Sequence, residues 1–195
     1  MIQTRLYLIL LLFCCNAFAQ DSIQKADGTK FKIVTGSAVV YQKEKQVKYL
    51  LPDLDKPRMI AFKDLSQATS NGKLFKIFRD RKKIKGYYVI TQNKNVSLAA
   101  ISTKKTSTVG GFNVPYTLHE VAVFDHGKIL DKVSFTENND RKNINKRVAA
   151  REMIINHFTD CVAVLERLAF FAGAESNLQE GDVVEFLKSP YWPCN

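Results

Sequence analysis

A change of period near residue 140 restricts this fold more than any other feature of the chain. From Gln20 to Glu137, short runs of β-branched and aromatic residues recur, each ended by turn residues. Ser22–Lys25 and Thr29–Val34 form a hairpin candidate through Ala26-Asp27-Gly28. Ala38–Gln42 and Gln46–Leu51 form a second across Lys43-Glu44-Lys45, and the turn-rich segment Pro52 to Pro57 follows. Arg58–Phe62, Leu65–Thr69, Leu74–Arg79, Gly86–Gln92 and Val96–Ser102 continue the pattern. Asn71-Gly72 is the strongest hairpin signal, because both residues tolerate the positive φ of a tight primed turn. Lys104 to Pro115 is polar and Gly-rich and reads as a loop or a flexible sheet edge, whereas Tyr116–Asp125 and Lys128–Phe135 pair through His126-Gly127. About ten short strands at this spacing predict an antiparallel β-meander or a small barrel-like sheet.

Beyond the polar seam Glu137 to Asn145 the spacing becomes helical. Val148, Ile155, Phe158, Val162, Leu165 and Ala169 recur on one face, with Ile154, Cys161 and Leu168 beside them. Thr159-Asp160 can interrupt the run by capping a new helix, and Gly173 ends it. Asn177-Leu178-Gln179-Glu180 has capping-box spacing for a last helix to about Leu187, stopped by Ser189-Pro190. The expected class is therefore α+β: a β-rich region over 20–137, then two or three helices within 138–195, packed on or beside the sheet.

The first 19 residues belong to neither part. Arg5 precedes the apolar stretch Leu6 to Cys15, and Ala17-Phe18-Ala19 places small residues at −3 and −1 before Gln20. That is the pattern of a secretory signal peptide cleaved after Ala19. The apolar run is too short for a retained membrane anchor. A lipoprotein would use Cys14 or Cys15, but the preceding Phe13 and Cys14 are not the small residues that such processing favours. After the leader no apolar run approaches the roughly 20 residues of a spanning helix.

Export changes how the four cysteines read. Cys14 and Cys15 leave with the leader, so Cys161 and Cys194 remain, and two thiols in an oxidising compartment most simply form a disulfide. Two alternatives stand beside it. His157 lies four residues before Cys161 on the same helical face, which would suit a reactive thiol. The same pair with Cys194 would supply three ligands of a zinc site that lacks a fourth.

Several segments together resemble small exported proteins of Bacteroidota. They are Lys25-Ala26-Asp27-Gly28-Thr29-Lys30, Lys63-Asp64-Leu65, Asn71-Gly72-Lys73-Leu74-Phe75-Lys76, His157-Phe158-Thr159-Asp160-Cys161 and Tyr191-Trp192-Pro193-Cys194. The resemblance covers most of the chain after the leader. It implies a β-rich part followed by a helical part with a Cys–Cys bond, and it implies no reaction. Those proteins often carry Pro after the first Cys, where this chain has Val162.

Charge supplies the remaining signal. The chain carries a formal net charge of +10, and losing the leader removes Arg5 and no acid, leaving +9. With 46% apolar and 25% charged residues, the composition is that of an ordinary globular domain. Arg79, Arg81, Lys82, Lys83 and Lys85 form the most basic stretch, flanked by Phe75, Phe78, Tyr87 and Tyr88. In a cytosolic protein this pattern would suggest nucleic acid, but export redirects it to anionic envelope surfaces, lipid headgroups or acidic glycans. A solvated hairpin tip is the plain alternative. Lys104-Lys105, Arg141-Lys142, Lys146, Arg147 and Arg151 extend the basic character.

His119-Glu120 and Asp125-His126 read as exposed hairpin polar residues, and Asp53 and Asp55 as turn formers. G-x-S-x-G, H-E-x-x-H, P-loop and G-x-G-x-x-G motifs do not occur in the sequence. The expectation is an exported, non-catalytic binding or structural protein of the cell envelope. It would be periplasmic or extracellular and would have an anionic surface or another envelope protein as partner. No cofactor, metal, nucleic acid or post-cleavage membrane span is expected. A hydrolase with dispersed Asp, Glu and His residues, or a thiol-redox protein using Cys161, is the alternative.

Overall fold

A computed structural model describes residues 20–80, 83–136, 138, 140–172, 187 and 189–194. The leader, Arg81, Lys82, Gly173 and the Asn177–Glu180 capping box lie outside the described residues. Twelve strands and two helices are present among the described residues, so the protein is α+β with an antiparallel sheet followed by helices. The strands are β1 (Ser22–Lys25), β2 (Lys30–Lys32), β3 (Val39–Tyr41), β4 (Gln46–Tyr49), β5 (Arg58–Ala61) and β6 (Leu65–Ser70). Then come β7 (Lys73–Asp80), β8 (Lys83–Asn93), β9 (Val96–Val109), β10 (Phe112–Asp125), β11 (Lys128–Thr136) and β12 (Trp192–Pro193). The helices are α1 (Arg141–His157) and α2 (Val162–Ala172).

The large sheet runs β11-β10-β9-β8-β7-β6-β1-β2, with β12 added parallel to β8, while β3-β4-β5 form a separate small sheet. Tight turns set the meander. Asn71 and Gly72 take φ of 51° and 71°, and His126 and Gly127 take 47° and 80°, the positive values expected between β6 and β7 and between β10 and β11. Asp21 fastens the start of β1 to this frame. Its buried carboxylate accepts from Gly36 N (2.7 Å), Ser70 Oγ (3.0 Å) and Asn71 N (3.1 Å).

The sheet curls without closing into a barrel. In a flat sheet, β7 and β10 would lie about 14 Å apart at roughly 4.8 Å per strand. Yet the rings of Phe78 on β7 and Phe124 on β10 stack with centroids 3.6 Å apart. A bulge at Ile90, where the β8–β9 register shifts between Val89 and Thr91, adds twist at the centre of the sheet. The concave face holds Phe78, Tyr87, Val89, Ala99, Ala122 and Phe124. The two alanines leave room for the aromatic rings above them.

The opposite face carries two larger cores. Phe75, Ile77 and Tyr88 pack under the small sheet with Val47, Tyr49, Ile60 and Phe62. Gly86 belongs to this contact, because a Cβ there would overlap the Phe75 ring. Further along, Ile90, Leu98, Ala100, Val121, Val123 and Phe135 receive Ala150, Met153, Ile154, Phe158 and Cys161, followed by Val164 and Leu168. Of the helical stripe expected from spacing, Phe158 is buried together with the flanking Ile154, Cys161 and Leu168, while Val148, Ile155 and Leu165 are half-buried and Val162 is 60% exposed, so the buried face is centred beside the expected one. Asp140 caps α1, accepting from Asn143 N (2.9 Å) and Nδ2 (2.7 Å), and Thr159-Asp160 forms the turn between the helices.

Two segments differ from expectation. Lys104 to Pro115 is mostly strand, because Thr106, Thr108 and Val109 suit extended backbone and β10 supplies a continuous ladder. Pro115 is accepted there because its strand has no second neighbour at that point. Trp192–Pro193 forms β12 inside a region read as helical. It extends the β8 edge beyond β7, with Thr91 Oγ1 donating to Trp192 O (2.8 Å) and Tyr191 N donating to Gly72 O (2.9 Å).

Cys161 and Cys194 are bonded, with Cα atoms 5.3 Å apart. The bridge ties the residue preceding α2 to the end of β12 across a sequence separation of 33, a closure that the chain-entropy model values at about 3–4 kcal/mol. Cys194→Ser should therefore lower the melting temperature by roughly 10 °C in a scan of the leaderless chain. Titration of the native wild type should find no reactive thiol at either position. An unmoved melting temperature would show that the bond adds nothing to the folded state.

Candidate functional site

The largest departure from a regular meander is a parting between β8 and β9. They pair only from Tyr88–Ala100 to Asn93–Val96. Before Tyr88, β8 pairs with β7 alone, and beyond Ala100, β9 pairs with β10 alone. The gap is a cleft of about 370 Å³ lined by Phe62, Ile84, Tyr87, Ile101 and Leu118 and edged by Lys43, Lys45, Lys85, Lys104 and Lys105. Gln42 reaches in from the small sheet, its Nε2 donating to Gly86 O (3.4 Å). On the concave side a smaller cleft of about 130 Å³ shares Lys85 and Tyr87 and adds Phe78, Phe124, Ile129, Lys83 and Lys132.

Seven lysines line the two clefts, and Glu120 is the one acid among their lining residues. Glu44 lines an adjoining groove with Lys45 and Lys63. Glu120 is already occupied. The Tyr87 hydroxyl donates to its Oε1, Lys85 Nζ lies 3.2 Å from the same oxygen, and Lys132 Nζ lies 3.4 Å from Oε2. Burial works against ionisation of this carboxyl. The hydrogen bond from Tyr87 and the charges of Lys85 and Lys132 outweigh burial and hold its pKa below the ordinary glutamate value. Burial, then the bond to Glu120 and the charge of Glu120, raise the Tyr87 pKa, so the phenol stays a donor. The remaining lysines keep the clefts positive.

The basic stretch singled out in the sequence is divided by the fold. Lys83 and Lys85 share one face of β8 and line the clefts. Arg79 leaves that group. Its Nη2 donates to the carbonyls of Lys63 (3.1 Å) and Leu65 (3.0 Å), which ties β7 to the start of β6. Arg81 and Lys82 lie outside the described residues. Lys43 and Lys45 of the β3–β4 turn, Lys104 and Lys105 of β9, and Lys132 of β11 complete the basic lining. Because β8 begins at Lys83 and not at Gly86, strand alternation puts Lys83 and Lys85 on one side, and the other five lysines join them through strand register. Arg147 is buried, its Nη1 donating to Thr136 O (3.3 Å) and Asn138 O (3.1 Å), so it supports the seam before α1 instead of adding to the basic surface.

The histidines stay apart. His119 is buried, not exposed, because alternation puts it on the helix-covered face of β10 with Val121 and Val123. Its Nδ1 lies 2.8 Å from Ser102 Oγ, and its ring is 5.5 Å from that of Phe135. This Ser–His pair sits on the face opposite Glu120 and lines neither cleft. His126 occupies the β10–β11 turn with Nδ1 2.6 Å from Asp125 Oδ1, as an exposed hairpin residue should. His157 Nε2 is 3.8 Å from Asp131 Oδ2. The disulfide takes both thiols of the zinc alternative, and no group of three or more His, Cys, Asp or Glu residues suited to a metal occurs among the described residues. No helix among the described residues is long and apolar enough to cross a membrane. Compared with known proteins, this chain matches no family model, no curated protein and no solved structure.

The lowered pKa of Glu120 has a consequence for stability. Its interactions contribute fully above the ordinary glutamate pKa, and that contribution is lost as the pH falls through the lowered folded-state value. Tyr87→Phe should cost about 1–3 kcal/mol in urea unfolding at neutral pH, because a half-buried carboxylate loses its donor. The same change in a Glu120→Gln background should cost less, and Glu120→Gln should flatten the acid limb of the stability profile. Equal costs in both backgrounds would show that the two side chains are not coupled.

Proposed function

We propose that this is an exported, non-catalytic binding protein of the bacterial cell envelope that engages anionic groups through the lysine-lined clefts. The observation that carries the reading is the convergence of seven lysines on an apolar floor with one acid that is already paired. An apolar floor with a cationic edge suits a ligand that presents negative charge beside hydrocarbon or sugar surface. Positive potential in such a concavity concentrates anions and speeds their arrival. The leader pattern, the basic net charge and the Cys161–Cys194 bond support an oxidising compartment next to anionic lipids and glycans.

Co-sedimentation with vesicles tests the reading. The leaderless chain should pellet with phosphatidylglycerol vesicles at low salt and not with phosphatidylcholine alone. Raising salt from about 0.1 M to about 1 M shortens the Debye length from about 10 Å to about 3 Å and should release most of it. At roughly 1 kcal/mol per cation near a charged surface, the double replacement Lys43→Glu/Lys83→Glu, which spares the Lys85–Glu120 pair, should weaken binding at least about tenfold. Affinity indifferent to salt and to this replacement would refute the electrostatic basis of the reading.

A further inference from the structure

The ribbon that leaves the sheet beyond the cleft has a distribution of residues that the cleft does not explain. From Lys104 to Val109 and from Phe112 to Thr117, β9 and β10 pair only with each other. Six residues per strand carry this ribbon about 20 Å beyond the sheet. Gly110 and Gly111 turn its tip with φ of 57° and 83°. The register pairs Val109 with Phe112, Ser107 with Val114 and Lys105 with Tyr116 on one face. Thr108, Thr106, Lys104, Asn113, Pro115 and Thr117 occupy the other, so the two lysines at the base flank the ribbon on both faces. Phe112 is 76%, Val109 62% and Val114 45% exposed, so the apolar face lies open at the tip of the ribbon.

Charge is arranged in the same direction. The eleven residues Thr106 to Tyr116 contain no charged side chain, in a protein of which 25% is charged. Lys104 and Lys105 border this stretch, five and four residues behind Val109, or roughly 14–17 Å along the strand. A tip buried about 5–10 Å in a headgroup–acyl boundary would leave their flexible ammonium groups at phosphate level. A two-stranded ribbon is marginal in water, so an exposed apolar tip calls for a covering surface. Face-to-face stacking with a second copy would bring Lys105 side chains of like charge together, whereas an anionic bilayer complements both the tip and its collar.

We propose that the β9–β10 ribbon is a membrane-interface anchor: Val109, Phe112 and Val114 enter the surface of an anionic bilayer while Lys104 and Lys105 hold its phosphates. The proposal rests on the anionic-surface reading and adds the element that inserts. An apolar patch of this size, like a single acyl chain, attaches only marginally by itself, so cations and tip are both needed and binding stays salt-dependent.

The test uses the leaderless full chain carrying Phe112→Trp, with wild type as the control for Trp192. Added phosphatidylglycerol vesicles should blue-shift the emission, and shallow brominated lipid should quench it. Val109→Ser/Phe112→Ser should reduce affinity for those vesicles at least about tenfold with an unchanged melting temperature, and Lys104→Glu/Lys105→Glu should do likewise. Vesicle binding without shift or quenching would overturn insertion and leave the anionic-surface reading standing. Failure to bind phosphatidylglycerol at low salt would overturn both. A blue shift that grows with protein concentration in the absence of lipid would assign the tip to a second copy, and a shift on adding only an acidic protein would assign it to that class of partner. Either result overturns the proposal.

Discussion

Glu120 sits where β8 and β9 separate, and the clefts depend on the contacts it makes there. Through Tyr87 and Lys85 it holds β8, and through Lys132 it holds β11, so one carboxylate links strands on both sides of the parting. The stacked Phe78 and Phe124 rings draw the same two sides together from the concave face. An apolar contact and a charged one thus hold the two sides together, because a carboxylate in that position needs its hydrogen-bond donors close by. The arrangement uses Lys85 and Lys132 structurally and leaves Lys43, Lys45, Lys83, Lys104 and Lys105 uncommitted by any of these contacts.

Rigidity behind the clefts comes from the other face. The small sheet covers β6 to β8 through Phe62, Phe75 and Tyr88, and the helices cover β8 to β11 through Ile154, Phe158 and Leu168. The disulfide and β12 fasten the C-terminal end to both the helices and the middle of the sheet. With its back supported in this way, the sheet can present an open, basic and partly apolar front. A ribbon can then extend from β9 and β10 with no packing of its own.

Local requirements were the most legible in sequence. Asn71-Gly72 and His126-Gly127 announce turns because few residues accept positive φ, and the structure places turns at both. Apolar residues from Val148 to Leu168 announce helices because their spacing lies close to the 3.6-residue turn, even across the break at Thr159-Asp160, but the face that is buried centres on Ile154, Phe158, Cys161 and Leu168 and not on Ile155, Val162 and Leu165. Properties that depend on pairing were not legible. Nothing in the order of strands says that β3, β4 and β5 leave the main sheet, that β6 pairs with β1, or that β8 and β9 part at Tyr88. Arg79 and Lys83 look equivalent in a run of cations, yet strand alternation and the nearby carbonyls of Lys63 and Leu65 send Arg79 to structural work. The ribbon read as a loop or a flexible sheet edge because its polar residues and glycines dominate its composition, while its apolar face appears only once the register is known.

Hydrogen exchange on the leaderless protein, with and without phosphatidylglycerol vesicles at low salt, tests most directly whether the front of the sheet is the working surface. Amides of residues 83–87 and 101–118 should exchange more slowly with vesicles present, while those of α1 and α2 stay unchanged. Slowing confined to α1 and α2, with the ribbon and cleft strands unaffected, would contradict it.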